Sequence, residues 1–291
     1  MAGNTTIPDV EAIADLLSSA GINQAEAIAA LAQPSIRICT KRASPLPRGS
    51  SRFGGSPDVP RGFNWPTKNG RPLTFIAQIN LTEVSSPDLP ETGWLLFFYD
   101  VEELPFGFDP LDLGGAQVIH ISVPASDLKK IEHPKINNYG GPFQSCSIKF
   151  KTVVEIPDLR DQLIEDLGIE VPQDHLDAYY GVADSISGFL DEPWYQHHLL
   201  GHPQLVQSDM RGECQLVTNG IYCGGPSELK DPRMENLLKS AAKEWRLLLQ
   251  VNSDREADWM WGDLGTLYFW IRGADLAARR FDNVWFIVQA H

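Results

Sequence analysis

Cysteine is scarce in this 291-residue chain: Cys39, Cys146, Cys214 and Cys223 are all there is, and no two form a CxxC pair. A chain of this length buries a sizeable core without disulfide or metal staples, so free, buried thiols are expected. Cys214 and Cys223, nine positions apart across a segment read as a hairpin, are the one pair near enough in sequence to meet. Long apolar runs are missing as well. None approaches the roughly 18 residues that a membrane-spanning helix requires. The opening MAGNTTIPDVEAIADLL has no basic stretch followed by an apolar one, so no signal peptide and a cytoplasmic location are expected. Positive charge is in deficit, with 24 Lys and Arg against 38 Asp and Glu, a formal net charge of −14. The acids are spread without any block of five or six like charges, which speaks against nucleic acid or an anionic membrane as partner. A basic partner suits such a surface; solubility alone also explains it. A Gly-x-Ser-x-Gly elbow, a phosphate loop and a dinucleotide fingerprint are all absent, so no motif specifies a reaction.

What the chain does hold begins with two helical signals. Val10, Ile13, Leu16 and Leu17 share a face, Pro8 suits the first turn and Gly21 ends it; a second helix is expected from Asn23 to Ala32, before Pro34. Together they predict an N-terminal helical hairpin. Residues 44–72 are dense in Pro, Gly, Ser and Arg, yet they carry Phe53, Phe63 and Trp65, which a solvated linker would not need. The stretch is read as an ordered loop laid over the core. Strand-length apolar or alternating runs follow at 73–80, 94–99, 117–123 and 146–156, and again at 266–271 and 283–288. Helical spacing occupies 157–192 and returns after Asp231 and Pro232, from Met234 to Trp245.

The chain also resembles itself. FIAQINL is followed by GWLLFF in the first half, and LLLQVNS by GTLYFW in the second. Gln78 and Gly93 stand 15 residues apart, as do Gln250 and Gly265. Upstream, Gly55-Ser56-Pro57 has a counterpart in Gly201-His202-Pro203. Matched register with apolar flanks predicts two related β units, at about 53–123 and 199–291, each burying the face the other cannot cover. Gln78, Asn80, Gln250 and Asn252 are polar residues inside apolar strands. They must be hydrogen-bonded, as backbone clamps or as ligand contacts, because a buried unpaired group costs roughly 1–3 kcal/mol.

The blocks FGGSPDVPRGFNWP, PLTFIAQINL with LPETGWLLFFYD, LLGHPQLVQSD, WRLLLQVNSD with MWGDLGTLYFWI, and DLAARRFDNVWFIVQ, in that order, resemble the hallmark segments of the YwqG-like family, a bacterial domain family of unknown function. The likeness runs from about residue 35 to the C-terminus. It implies one β-rich, roll-like domain with peripheral helices, and it implies no catalytic residues. The expected fold is therefore α+β and β-rich: roll-like antiparallel sheets from an internal duplication, with peripheral helices, the N-terminal extension occupying residues 1–34 and the main domain 35–291.

Several constellations invite a site. Asp254, Asp258 and Asp263 fall within ten positions, but the EF-hand pattern is absent and Trp259 and Trp261 interrupt, so a turn capped by Asp263 is preferred to a cation site. His197, His198 and His202 lie within six residues without Cys or Glu at ligand spacing, and His202 is read as a turn residue before a general base. No metal or cofactor is expected. Trp65, Trp94, Trp194, Trp259 and Trp261 include several beside Gly, Pro or Asp in loops; core plugging and surface binding are the alternatives. Loops 53–66, 194–209 and 254–263 are expected to converge near a groove between the units. The binding candidates are Trp65, Gln78, His202, Gln207, Asp209, Gln250, Trp261 and Asp263. Two readings stay open: a non-catalytic protein that binds a protein partner, basic in charge, or a small ligand, and a hydrolase-type enzyme using His202, Gln207, Asp209 and Asp263 in a cleft.

Overall fold

The structure, a computed structural model, describes residues 7–134, 142–188, 197–225 and 231–291. Two short helices lead, α1 (Val10–Ser19) and α2 (Ala25–Ala29), with Asp9 Oδ1 accepting from the Ala12 N–H to cap α1. The strands of the first half are β1 (Gln33–Arg42), β2 (Arg52–Phe53), β3 (Asp58–Pro60), β4 (Thr67–Lys68), β5 (Arg71–Pro72), β6 (Thr74–Asn80), β7 (Trp94–Tyr99), β8 (Ala116–Ile121) and β9 (Leu128–Lys130). After β10 (Cys146–Glu155) come α3 (Gln162–Asp166), α4 (Leu176–Ser187), β11 (His197–Leu200), α5 (Arg211–Val217) and α6 (Met234–Glu244). The chain ends with β12 (Trp245–Asn252), β13 (Thr266–Arg272), α7 (Gly273–Ala277) and β14 (Val284–Gln289).

Ten of these strands make one antiparallel sheet in the order β14-β13-β12-β11-β1-β10-β2-β6-β7-β8. Outward from the middle, β1 answers β10, β11 answers β2, β12 answers β6, β13 answers β7 and β14 answers β8. The match extends to single residues. Arg52 lies opposite Gln78, as His198 lies opposite Gln250. Both β6 and β12 slip register at the same point, between Phe75 and Ala77 and between Leu247 and Leu249. The Leu81 N–H donates to Gly93 O at 2.9 Å, and the Ser253 N–H to Gly265 O at 3.0 Å.

Sequence comparison did not find the leading strands of the two units. Along the chain β1 precedes the first meander and β10 the second, yet β1 lies against β11 and β10 against β2. Each half thus holds the other's leading strand. The seam is a continuous ladder from Gln33↔Glu155 to Arg42↔Cys146. QPSIRICTKR and CSIKFKTVVE share alternation but no motif, which is why the likeness at 53–123 and 199–291 stopped short of them.

The sheet curls until β8 and β14 lie side by side. The loop after β7 bridges to this edge: Phe106 O accepts from the Val288 N–H at 3.0 Å, and Gly107 O from Trp285 Nε1 at 2.9 Å. Inside sit Ile38, Phe53, Leu95, Phe97, Ile148, Leu199, Val251, Phe269 and Phe286. The outer faces are covered too. Met210, Cys214 and Val217 pack on Trp245, Tyr268 and Trp285, while Val59, Leu73 and Leu128 pack on Phe75, Leu96 and Phe98. Burial on both faces explains why WLLFFY and TLYFWI read as unbroken apolar runs instead of alternating ones. A separate cluster joins Ile13, Leu17 and Ile28 of the leading helices to Ile164, Tyr179 and Val182 of α3 and α4. The second helix is shorter than expected because the chain turns into β1 at Gln33.

All four cysteines are free: Cys146 and Cys214 are buried, Cys223 half-buried and Cys39 exposed. Cys214 lies in α5, not beside a hairpin, and Cys39 faces out because the neighbouring Ile38 takes the inward position. Among the described residues no helix is long and apolar enough to cross a membrane.

The strand glutamines hold each half's covering loop to the outer face of its own meander. Gln78 Oε1 accepts from the Asp58 N–H at 2.7 Å and its Nε2 donates to Ser50 O at 2.9 Å. Gln250 Oε1 accepts from the Gln204 N–H at 2.9 Å, and its Nε2 donates to Gln204 Oε1 and Asn252 Oδ1. Glycine is required just before each clamp. A Cβ on Gly55 would lie 2.9 Å from Ser145 Cβ, and one on Gly201 would lie 2.6 Å from Ser35 Cβ, both at positive φ. Gln78→Leu and Gln250→Leu are each expected to lower unfolding free energy in urea by about 1–3 kcal/mol, the cost of stranding the loop N–H in both cases, with the Ser50 carbonyl in the first and the Gln204 and Asn252 amide oxygens in the second.

Candidate functional site

The segment 201–210 carries His202, Gln207 and Asp209 above Gln250, and it meets the turn before α3. His202 Nε2 donates to Leu31 O at 2.8 Å, tying the leading helices to this loop, while its Nδ1 stands 3.6 Å from Asp161 Oδ2. The Arg211 guanidinium bridges Asp161, at 2.9 Å, and Asp209. Arg160 adds bonds to Leu205 O and Gln207 O at 2.8 and 2.9 Å. Burial opposes the Asp161 carboxylate, but His202 and Arg211 beside it hold it below its ordinary value. Burial instead wins at Asp209, which is raised despite Arg211. Arg211 is itself raised, since the two carboxylates outweigh its own burial. Burial, with Asp209 adding to it, pushes Glu213 up to about 7.

These side chains are closed off from solvent: Asp161, His202 and Arg211 are buried. The arrangement ties loop 201–210, the turn before α3 and the end of α2 into one block. Of the expected site residues it unites His202 and Asp209, with Gln250 under the same loop. Gln207 is exposed, spending its N–H on Gln289 Oε1 and its Nε2 on Ala290 O. Gln78 belongs to the equivalent loop of the other half, where Arg52 and Asp58 form a buried pair at 2.5 Å. Trp65 is half-buried against Phe98 and His133, with Nε1 donating to Leu73 O. Asp161, Arg211 and the Arg52–Asp58 pair escaped sequence reading, because each partner lies in a different turn and no local pattern marks it.

The three clustered imidazoles face different partners. His197 Nδ1 accepts from the Asn252 N–H at 3.0 Å, so its Nε2 carries the proton shared with Asp254 Oδ2 at 2.8 Å. His198 Nε2 donates to His202 O at 3.0 Å, the counterpart of Arg52 donating to Ser56 O. Among the described residues no group of three or more His, Cys, Asp or Glu is placed to hold a metal ion. Asp254, not Asp263, organises its loop, accepting also from Thr40 Oγ1 and from the Glu256 and Ala257 N–H groups. Asp263 sits at the exposed tip, and its carbonyl accepts from the His291 N–H. Residues 194–196, including Trp194, lie outside the described residues; of the rest, one residue from each loop comes together, the Phe53 ring lying 5.0 Å from His197 and, tilted, 5.3 Å from Trp259.

A second feature lies at one end of the barrel, where loop 100–115 of the first unit and loop 253–265 of the second meet. Tyr99 joins them: its hydroxyl donates to Pro105 O at 2.7 Å and its ring lies 5.8 Å from Trp261. Trp259, Trp261 and Phe143 plug the barrel beneath. Outside the plug, Leu104, Phe106, Leu111, Leu113, Met260 and Leu264 are between 43% and 82% exposed. Leu104 and Leu264 also take positive φ, 47° and 49°, a conformation costing about 1–2 kcal/mol for a residue with a side chain.

The fold and these two features define a duplicated, nearly closed antiparallel β domain with peripheral helices. Residues 51–290 match the family described as Domain of unknown function (DUF1963), and the chain belongs to that family. The match starts after β1, although β1 is an interior strand of the sheet. No curated protein matches the chain.

Arg211→Met is expected to cost about 3–5 kcal/mol in urea unfolding, because it leaves Asp161 and Asp209 buried without their counter-charge. Glu213 generates a pH signature. Between its ordinary value of 4.5 and about 7, the folded state keeps a proton that the unfolded chain has released, so stability falls as pH rises through that window. Glu213→Gln is expected to match the wild type at pH 4 and exceed it at pH 8, as read from urea midpoints.

Proposed function

We propose that this chain is a non-catalytic binding protein that engages its partner through loops contributed by both units. The observation that supports this reading is the set of large apolar side chains left in water on loops 100–115 and 253–265, above a rigid aromatic plug. The finer likeness to the YwqG-like family, a bacterial origin and a cytoplasmic location belong to the same proposal; four free thiols suit a reducing compartment. The hydrolase reading gains nothing from the geometry. His202 is buried and Asp209 is tied to Arg211, whereas Gln207 and Asp263 are exposed on separate segments.

A thermal-shift screen against metals, nucleotides, sugars and common metabolites, with and without chelator, tests the proposal. A ligand at ~100-fold excess over Kd adds about 2.7 kcal/mol to the folded state, which would read as a rise of several degrees. Tm is expected to stay flat across the screen. A reproducible rise accompanied by turnover of the hit would replace the binding reading with the enzyme one.

A further inference from the structure

We infer that the partner of this end of the barrel is a basic amphipathic segment of another protein, its apolar face on Leu104, Phe106, Leu111, Leu113, Met260 and Leu264 and its Lys and Arg side chains over the surrounding carboxylates. The inference deepens the binding proposal and rests on it. Charge sets the partner's sign: residues 100–115 and 253–265 carry nine Asp and Glu and one basic residue, Arg255. Arg71 takes Asp100 and Glu103, and His197 takes Asp254, which leaves Asp109, Asp112, Asp258 and Asp263 outside any such ion pair among the described residues. Nucleic acid and anionic lipid share the negative sign and are disfavoured. A second copy, also at net charge −14, would set like charges face to face.

The fold supplies its own control. The duplication places loops 81–93 and 273–283 at the opposite end, where Leu81, Leu89, Leu276 and Phe281 are buried and Val84 half-buried. Arginine is plentiful there, with Arg246, Arg272 and Arg280 paired to Asp88, Glu244 and Asp275. Exposed leucines are therefore a property of one end and not of the architecture. The site is also preorganised. The C-terminal strand supports both loops, through the Val288 N–H to Phe106 O and the His291 N–H to Asp263 O, so little order remains to be gained on binding.

The test uses the full chain and a fluorescein-labelled 14-residue Leu-Lys amphipathic helix, with a Leu-Glu helix of the same pattern and a Lys-Ser peptide as controls. Fluorescence anisotropy is expected to show binding of the Leu-Lys helix alone, weakening at least tenfold between 50 and 300 mM NaCl. Leu111→Ser with Leu113→Ser, and separately Asp258→Lys with Asp263→Lys, are each expected to weaken it at least tenfold with Tm unchanged. Leu238→Ser, an equally conservative change on exposed α6, is expected to leave it intact. Equal binding by the loop variants, or tight binding of the Lys-Ser peptide, overturns the site. Absence of wild-type binding overturns the basic amphipathic partner. A dimer seen by sedimentation and dispersed by the Leu111 and Leu113 changes assigns the face to self-association instead. Failure of the underlying binding reading shows elsewhere, as turnover of a small-molecule hit, which no peptide result can mimic.

Discussion

A buried primary amide has two donors and two acceptor lone pairs to place, and in each half of this protein one glutamine places them on the loop that covers the sheet. Gln78 holds Ser50 and Asp58; Gln250 holds Gln204. Because the loop follows a strand that pairs with the other half's leading strand, the clamp does more than close a turn. It holds the covering loop beside β2 and β11, the strands that β10 and β1 join. An apolar residue at either position would leave the sheet its hydrophobic reason to form but remove what specifies the path of the chain over it.

The exchange of leading strands makes the halves interdependent. Neither meander owns all the strands that complete it, so the duplication yields one cooperative body. The buried ionic block on the second half fits that picture. Arg211, Asp161, Asp209 and His202 bring together the end of α2, the turn before α3 and the loop after β11. A hydrophobic replacement of the whole block would cost less than removing one member, which is the usual behaviour of buried charge networks. Its position is inherited from the duplication: His198 bonds His202 O where Arg52 bonds Ser56 O, and the first half answers with Arg52–Asp58.

Duplicated units need not carry duplicated surfaces. At one end of the barrel the loops turn their large apolar residues inward; at the other they expose leucine, phenylalanine and methionine amid carboxylates. Interior packing does not require such a difference, since Trp259 and Trp261 already seal that end.

By itself the sequence determined the class of fold, the paired meanders with their shared Gln-x-Asn and Gly-x-Leu-x-Phe registers, the clamping requirement on Gln78 and Gln250, and the excess of acid. These are legible because they rest on local periodicity and on residue types repeated at one spacing. Only the tertiary structure decided that β1 and β10 trade places, that Asp254 and not Asp263 orders its loop, that His202 faces Asp161, and that Trp65 and Trp261 sit on opposite faces of the sheet. Each of those depends on partners well apart in the chain, from 33 residues for Trp65 and Phe98 to 214 for Thr40 and Asp254, whose meeting is set by closure of the sheet and leaves no mark in either segment alone. The exposed rim is the clearest case. Leu111 and Leu264 look like any core leucine in the sequence, and only the closing of the barrel beneath them leaves them in water.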